Sequence, residues 1–440
     1  MAAYAPMIER GDFSEPIVRP VYAWAVFALT VGLLLSDYMS RQTLNAVFPY
    51  LKGAWGLTEA KLGSLSSVVA LMVGVLTVPL SILADRWGRV RSITLMVGLW
   101  SLATLGCAIS TNYGELLAAR AFVGIGEAAY GSVGIAVVLS IFPARLRSTL
   151  TSAFMAGGAF GSVLGVALGG VVATRFGWRW SFGAMAGFGL VLMLVYAAVV
   201  TEKRLTRQRP AVGEGEKQRK IGARIGLRAL VAGLFSSRSV VFAYVGSGFH
   251  LFVATALFAW MPSYLNRYYA MAPGKAALAA AGLVLVTGVG MIACGIVTDR
   301  VSRVVAARKW LAAIIYCVIS FVALGVAFQL PAGSQQLALI GVGMFFCAGA
   351  CGPSGAMVAR LTPATIHASA FATLTLINNF LGLAPAAVVT GLVADRIGLL
   401  GALQLVPVLS LVGAAFFMLG SRHYLKHIRR LDALHQCAAA

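Results

Sequence analysis

Four ionisable side chains sit where the sequence is otherwise apolar. Asp37 and Arg41 are four residues apart, and Arg120 and Glu127 are seven apart. On a helix both spacings place the two residues on one face. Of fourteen acids, only Asp37 and Glu127 fall well inside long apolar runs. A charge at a bilayer centre costs roughly 2.5–3.5 kcal/mol on the gentler scales, so four facing lipid would cost on the order of 10 kcal/mol. They must face a protein interior and pair, and two acids balance two arginines. Burial disfavours the charged form of a carboxyl, which suits such a group to bind and release protons. The expected chemistry is proton coupling at Glu127 and Asp37, with Arg120 and Arg41 as substrate or coupling charges. The alternative is a static salt-bridge network pinning two helices.

Depth can be counted at about 1.5 Å per residue. Asp37 falls in the outer half of a helix running outward. Arg120 falls in the outer half of one running inward, so the two are expected to pair, with Arg41 sharing Asp37. Glu127 lies two turns deeper than Arg120, where no cation is expected.

The elements that position these groups follow from composition. The chain has 440 residues, 60% hydrophobic and 11% charged, with mean hydropathy +0.87. Soluble domains are nearer 45–50% apolar and about 25% charged, so a soluble enzyme is excluded. Disorder is excluded by the same hydrophobicity. The apolar runs are continuous rather than alternating, which excludes an outer-membrane barrel. Runs near 22–44, 62–83, 92–111, 115–141, 149–173, 180–200, 239–265, 276–297, 309–330, 335–358, 366–393 and 398–421 each approach the ~20 residues that span a bilayer. The fold expected is an all-α membrane protein of twelve transmembrane helices. Its parts are a cytoplasmic segment 1–20, a six-helix bundle 21–200, a linker 201–237, a second bundle 238–421 and a tail 422–440.

Residues 1–20 carry both charge signs and three prolines, unlike a signal peptide. The net charge of +21 would suggest nucleic acid in a soluble protein. Here the positive-inside rule accounts for it. With the N-terminus inside, inner segments hold 26 Lys and Arg and outer loops seven. That places both termini in the cytoplasm and the protein in the plasma (inner) membrane, with no nucleic-acid partner. In the linker, Ile221, Ile225 and Leu230 recur near helical spacing beside a basic run from Lys217 to Arg228. This suits a short amphipathic helix on an anionic leaflet. The six cysteines include no C-x-x-C pair, so they read as apolar fillers, with neither metal nor cofactor expected.

The halves echo each other. S-I-L-A-D-R-W-G-R-V-R at 81–91 returns as G-I-V-T-D-R-V-S-R at 295–303, an offset of 214. G-V-V-A-T-R-F-G at 170–177 returns as G-L-V-A-D-R-I-G at 391–398, an offset of 221. Two echoes at matching helices imply duplicated six-helix bundles, with a substrate site near the midplane between them.

The loop Asp85-Arg86-x-Gly88-Arg89-x-Arg91 resembles the signature loop of the major facilitator superfamily, as does Arg120-x-x-x-Gly124-x-Gly126. Ser81 and Ser302 depart from it. Within the superfamily, Arg120 to Tyr130, Phe176-Gly-Trp-Arg-Trp-Ser-Phe182, Trp260-Met-Pro-Ser-Tyr264 and Asn378-Asn-Phe-Leu-Gly-Leu-Ala-Pro385 resemble the spinster-like branch. Organic-anion/proton symporters share the G-x-G-E-A run. The resemblance implies alternating access between two bundles. Asp85, Arg86, Gly88, Arg89 and Arg91 would form a conformational latch, with Asp299, Arg300 and Arg303 as its second copy. It also implies lysophospholipid or sphingolipid-like cargo moved with protons. Such relatives carry an acid directly before the first-helix arginine. Here that place is Ser40, and the acid is Asp37.

Gly157, Gly158, Gly161, Gly165, Gly169 and Gly170 form a small-residue seam, expected to permit close helix packing. All four intramembrane charges lie in the first half. The second offers His250, Asn378, Asn379 and Gln404 amid Phe and Leu. Tyr130, Asn378, Asn379 and His250 are expected to line the cavity. A cavity polar on one wall and greasy on the other suits an amphipathic cargo. The alternative is a proton-coupled symporter of small organic anions, with Arg120 and Arg41 as carboxylate clamps. An enzyme or a receptor is disfavoured, because no nucleophile–base–acid set, phosphate loop or metal cluster appears. The working unit is expected to be a monomer in the lipid bilayer, with a small-molecule or lipid substrate and protons as partners.

Overall fold

The computed structural model describes residues 20–142, 146–202, 233–235, 237–303, 305, 307–362 and 366–439, the side chains of 85, 147, 148, 367, 368 and 425–439 excepted. Nearly all of it is helix. The first half holds α1 (Pro20–Trp55), α2 (Glu59–Trp87), α3 (Arg89–Ile109), α4 (Tyr113–Glu127), α5 (Tyr130–Ile141), α6 (Arg147–Phe176) and α7 (Trp178–Val199). The second holds α8 (Arg238–Tyr268), α9 (Pro273–Val301), α10 (Arg308–Ala327), α11 (Ser334–Phe346), α12 (Cys351–Leu361), α13 (His367–Ile377), α14 (Ala384–Leu405) and α15 (Val408–Ala439). The expected surface helix at 221–230 lies outside the described residues. We call the end that carries Pro20, Val200 and Arg238 the inner end.

Eleven of the described helical stretches are long and apolar enough to cross a membrane. The twelfth crossing is hidden by a break. Gly398 sits at φ 80°, ψ 161° inside α14, a left-handed conformation that glycine adopts without a Cβ penalty. Its repeat partner Gly177 sits at φ 91° between α6 and α7. Beyond Gly398, the Leu400 N–H donates to the Tyr268 hydroxyl (3.1 Å) at the outer end of α8. Further on, Gly420 O accepts from Ser239 at the inner end of the same helix. The chain from 399 to 420 therefore crosses once more.

Three crossings are interrupted, each near a polar group. The fourth breaks at Ala128 and Ala129, leaving Glu127 as the last residue of α4. The freed Ala128 carbonyl accepts from Thr77 Oγ1 (2.8 Å). The tenth breaks between Phe346 and Cys351. The eleventh widens into a π turn over Asn378–Leu383. Pro385 has no N–H for the ordinary i−4 bond, and its ring crowds that carbonyl. The ladder instead shifts to i−5, with Ala384 N–H on Asn379 O.

The glycine seam on α6 packs against α1, the most extensive helix pair in the molecule. Gly161 lies on the Leu35 backbone, Gly165 on Met39 and Gly169 on Thr43, and Thr43 Oγ1 donates to Gly165 O (3.1 Å). Without a hydrophobic force between helices in lipid, such close backbone contact supplies the association energy.

The halves meet along two seams at the outer end. On one, α2 lies against α14: Gly63 meets the Ala387 backbone, Gly391 meets Glu59 and Ala60, and Ser67 Oγ accepts from Val388 N–H (3.1 Å). On the other, α6 lies against α9: Gly170 meets Ala277, and Gly274 meets Thr174. Phe48 of α1 and Trp260 of α8 pack with ring centroids 5.3 Å apart. Among the described residues, every hydrogen bond and ion pair between the halves falls in the outer half of α2.

Candidate functional site

Inward of that closure lies a cavity of about 380 Å³. Its first-half wall carries Tyr38, Arg41, Gln42, Asn45, Ser66 and Arg120. Its second-half wall is apolar (Leu251, Phe258, Val284, Met291) apart from Thr255 and Thr287. Both threonine hydroxyls donate to carbonyls one turn back, Leu251 O and Leu283 O. The charged residues lining the cavity are the two arginines of the first-half wall; Asp37 and Glu127 stand behind them.

Arg41 is the hub. Its Nε–H donates to Asp37 Oδ1 at 3.1 Å, and Glu127 Oε2 lies 2.6 Å from the same nitrogen. The Glu127 side chain is fully buried, and neither of its oxygens has a hydrogen-bond donor in line among the described residues. The expected Asp37–Arg120 pair does not form. Arg120, also buried, donates from Nε to Leu65 O and from Nη1 to Ser40 O, both at 3.4 Å. Nor is Glu127 without a cation, as depth counting had it. The reason is side-chain direction. Every Cα–Cβ bond tilts toward its helix N-terminus. On outward-running α1 this leans Arg41 inward; on inward-running α4 it leans Glu127 and Arg120 outward. Arg41 and Glu127 converge, while Asp37 and Arg120 diverge.

The remaining expected residues fall in different places. Tyr130 is buried behind the wall, donating to Thr30 O (2.6 Å) and packing edge-on to Trp100 at 5.1 Å. His250 is also off the cavity. Its Nε2 lies 3.1 Å from Phe346 O and its Nδ1 3.3 Å from Cys317 Sγ. A carbonyl can only accept, so Nε2 carries the hydrogen and Nδ1 takes the thiol proton. The ring is a second donor to the Phe346 carbonyl, which also accepts the Gly349 N–H (2.9 Å) in the turn that breaks the tenth crossing. Asn379 donates to Thr375 O (2.9 Å) and faces Gly74 of α2, and Asn378 begins the π turn; neither is on the cavity wall.

Among the described residues, the latch loop hydrogen-bonds within the first half. Arg89 Nη1 donates to Ala136 O (3.2 Å), and the Arg89 and Val90 N–H groups donate to the Glu202 carboxylate at 3.2 and 2.8 Å. Gly88 lies against Glu202. Arg86 and Arg91 are exposed, as are Asp299, Arg300 and Arg303 of the second copy. The Asp85 side chain lies outside the described ones.

Two groups were not anticipated from the sequence. One is the polar row Tyr38, Gln42, Asn45 and Ser66. Its signal was present: Gln42 and Asn45 continue the Asp37–Arg41 face by a further turn in an apolar span. The other is a rim clamp. Asp395 accepts from the N–H groups of Glu59 (2.7 Å) and Ala60 (3.0 Å), capping α2 from across the bundle boundary. Glu59 is gripped by Arg267 through two bonds, 2.7 and 3.1 Å, and by Lys52. Asp395 was visible as the acid in the second G-x-V-A-x-R-x-G echo.

The pattern has relatives. The chain is 27% identical over 253 residues to "Protein spinster" of Drosophila melanogaster, covering 57% of this chain and 40% of that protein. It is 29% identical over 253 residues to "Protein spinster homolog 1" of Homo sapiens, covering 54% and 46%. The chain thus spans less than half the length of these relatives. Among solved structures it superposes on a bacterial homolog of the human lysosomal transporter Spinster in an inward-facing, unoccupied conformation. That match has a TM-score of 0.82 at 18% identity over 93% of this chain and 99% of the other. A D-xylose–proton symporter gives 0.66 at 16% identity, over 91% and 97%. The family model of the Major Facilitator Superfamily matches residues 30–384. With that match across most of its length, this multi-pass membrane protein belongs to the Major Facilitator Superfamily, and spinster proteins are among its relatives.

Proposed function

We propose that the chain is a proton-coupled secondary transporter, working by alternating access, for an amphipathic anionic or zwitterionic lipid-like molecule such as a lysophospholipid. The observation that carries this reading is the position of Arg41. It lies on the cavity wall with Asp37 and Glu127 behind it at 3.1 and 2.6 Å. Two carboxylates share one guanidinium, and the unit as a whole is one negative charge in excess. A proton on Glu127 removes the excess. An anion arriving in the cavity competes for Arg41, and the carboxylate it releases takes up that proton. Arg120, whose hydrogen bonds among the described residues go to two carbonyls, adds a positive charge on the same wall. The apolar second-half wall takes the hydrocarbon. Asp85, Arg86, Gly88, Arg89 and Arg91, with Asp299, Arg300 and Arg303, latch the inner end when the cavity opens outward. The protein acts as a monomer in the plasma membrane with both termini cytoplasmic; the 26-to-7 distribution of basic residues supports that orientation.

A second reading is a symporter of small organic anions. A cavity of about 380 Å³ is at the small end of ligand pockets, which run roughly 300–1,000 Å³. Proteoliposomes under an imposed pH gradient separate the two. The lipid reading expects gradient-driven accumulation of a lysophospholipid that is lost in Glu127→Gln and unaffected by dicarboxylates. Saturable dicarboxylate uptake without lysolipid competition would favour the second reading. Lysolipid transport equal in wild type and Glu127→Gln would overturn the coupling.

A further inference from the structure

The row beside the arginines is wired in one direction. Ser66 Oγ donates to Asn45 Oδ1 (2.8 Å), and Asn45 Nδ2 donates to Gln42 Oε1 (2.7 Å). Each amide oxygen accepts from the donor behind it, using one of its two lone pairs and fixing which way the amide faces. The Gln42 amide nitrogen, a donor only, is thereby left at the cavity end of the chain. Asn45 is nearly buried, at 5% exposure, so the middle of the relay is held in place. The relay also shares its helices with Arg120. That guanidinium is anchored to Ser40 O on α1 and Leu65 O on α2. The relay joins Gln42 and Asn45 of α1 to Ser66 of α2. The two groups therefore sit on one α1–α2 seam, the relay lying two to five residues past Ser40 on α1 and one past Leu65 on α2.

We propose that Gln42, oriented by Asn45 and Ser66, is a specificity-determining residue. It donates to a second oxygen of an oxyanion headgroup, phosphate or carboxylate, whose charge Arg120 shares with Arg41. This rests on the reading of the cavity as a site for anionic amphiphiles and adds the means of selection. An oxyanion offers several acceptors to a wall of donors. A quaternary ammonium offers none and meets like charge. A hydroxyl headgroup gains one bond and no charge pairing.

The test measures binding to purified full-length protein in nanodiscs of neutral lipid, with dodecyl phosphate, laurate and dodecyltrimethylammonium as probes. Gln42→Met keeps length and removes the donor. It is expected to weaken dodecyl phosphate roughly ten-fold, the scale of one hydrogen bond to a charged group, with dodecyltrimethylammonium unchanged or tighter. Ser66→Ala releases the far end of the relay and is expected to narrow the phosphate-to-ammonium preference at unchanged thermal stability, with Ser66→Thr restoring it. A purely structural role for the row would move stability and leave that preference alone. If wild type binds dodecyl phosphate through Arg120 but Gln42→Met stays within two-fold, the relay proposal is overturned while the cavity reading stands. If wild type binds neither oxyanion probe, both are overturned. Laurate and dodecyl phosphate arms distinguish carboxylate from phosphate as the preferred headgroup.

Discussion

The two halves of the molecule hold equivalent positions and fill them with different chemistry. At the 214-residue offset, Arg41 and Asn45 correspond to Thr255 and Ala259, and all four line the same cavity. The first half supplies charge and amides; the second supplies a methyl and a hydroxyl already bonded to its own helix. At the outer rim the allocation is reversed. At the 221-residue offset Thr174 corresponds to Asp395. Asp395 clamps the start of α2, where the anion also meets the positive end of the helix dipole. Thr174 bonds within its own half to Tyr50 (2.9 Å) and meets Gly274 at the start of α9 without a charge. Duplication supplied the shape, and divergence put the ligand-facing charge in one half and a cross-bundle rim acid in the other.

The largest effect is expected from breaking the hub. Arg41→Leu leaves Asp37 and Glu127 buried without their cation. Removing one partner of a buried pair costs about 3–5 kcal/mol, so thermal unfolding in nanodiscs should show severe destabilisation. The triple change adding Asp37→Asn and Glu127→Gln should recover most of it. Recovery absent from the triple would mean that Arg41 supports the fold by packing alone.

Next comes the wall. Arg120→Gln should raise the KM for an anionic amphiphile by roughly ten- to a hundred-fold, the loss of a charge-assisted contact, with little change for an uncharged one. Equal effects on both would place Arg120 in the scaffold.

The rim should respond more modestly. Asp395→Asn weakens the cap on α2, worth about 0.5–2 kcal/mol, and should shift the population toward an outward-open form. Spin-label distances across the outer ends would record it. Thr174→Asp tests the converse. It sets an acid at the α9 N-terminus, worth about 0.3–1 kcal/mol, and should favour outer closure. Opposite signs from these two substitutions would confirm the asymmetry; matching signs would break the comparison.

Much of this was legible in the sequence. Continuous apolar runs gave the crossings, and two echoes gave the duplication. Intramembrane charges confined to the first half pointed to two unlike cavity walls, because such a charge is too costly to place without a use. The pairing was not legible. Counting rise along the axis treats a side chain as a point at its Cα, and it matched Asp37 with Arg120. The tilt of Cβ bonds on antiparallel helices shifts Arg41 and Glu127 toward each other instead. His250 was placed on the cavity although a lone histidine in an apolar span is more often a core residue; the partners that make it one, Phe346 O and Cys317 Sγ, come from two other crossings and leave no signal near position 250. Short-range signals from turns and caps, such as Thr58 before Glu59, located the start of α2 but not the acid from the other half that caps it.

The central claim is that cargo and a buried carboxylate compete for one guanidinium, so that cargo binding draws a proton onto the carboxylate it displaces. It can be tested without transport, by following pH in a weakly buffered solution of purified protein as an anionic amphiphile is added. Linkage requires that binding and proton uptake be reciprocal. Wild type should take up about one proton per anion bound at saturation, and the Asp37→Asn, Glu127→Gln double variant should bind with none. Proton uptake that persists undiminished in the double variant would contradict the account.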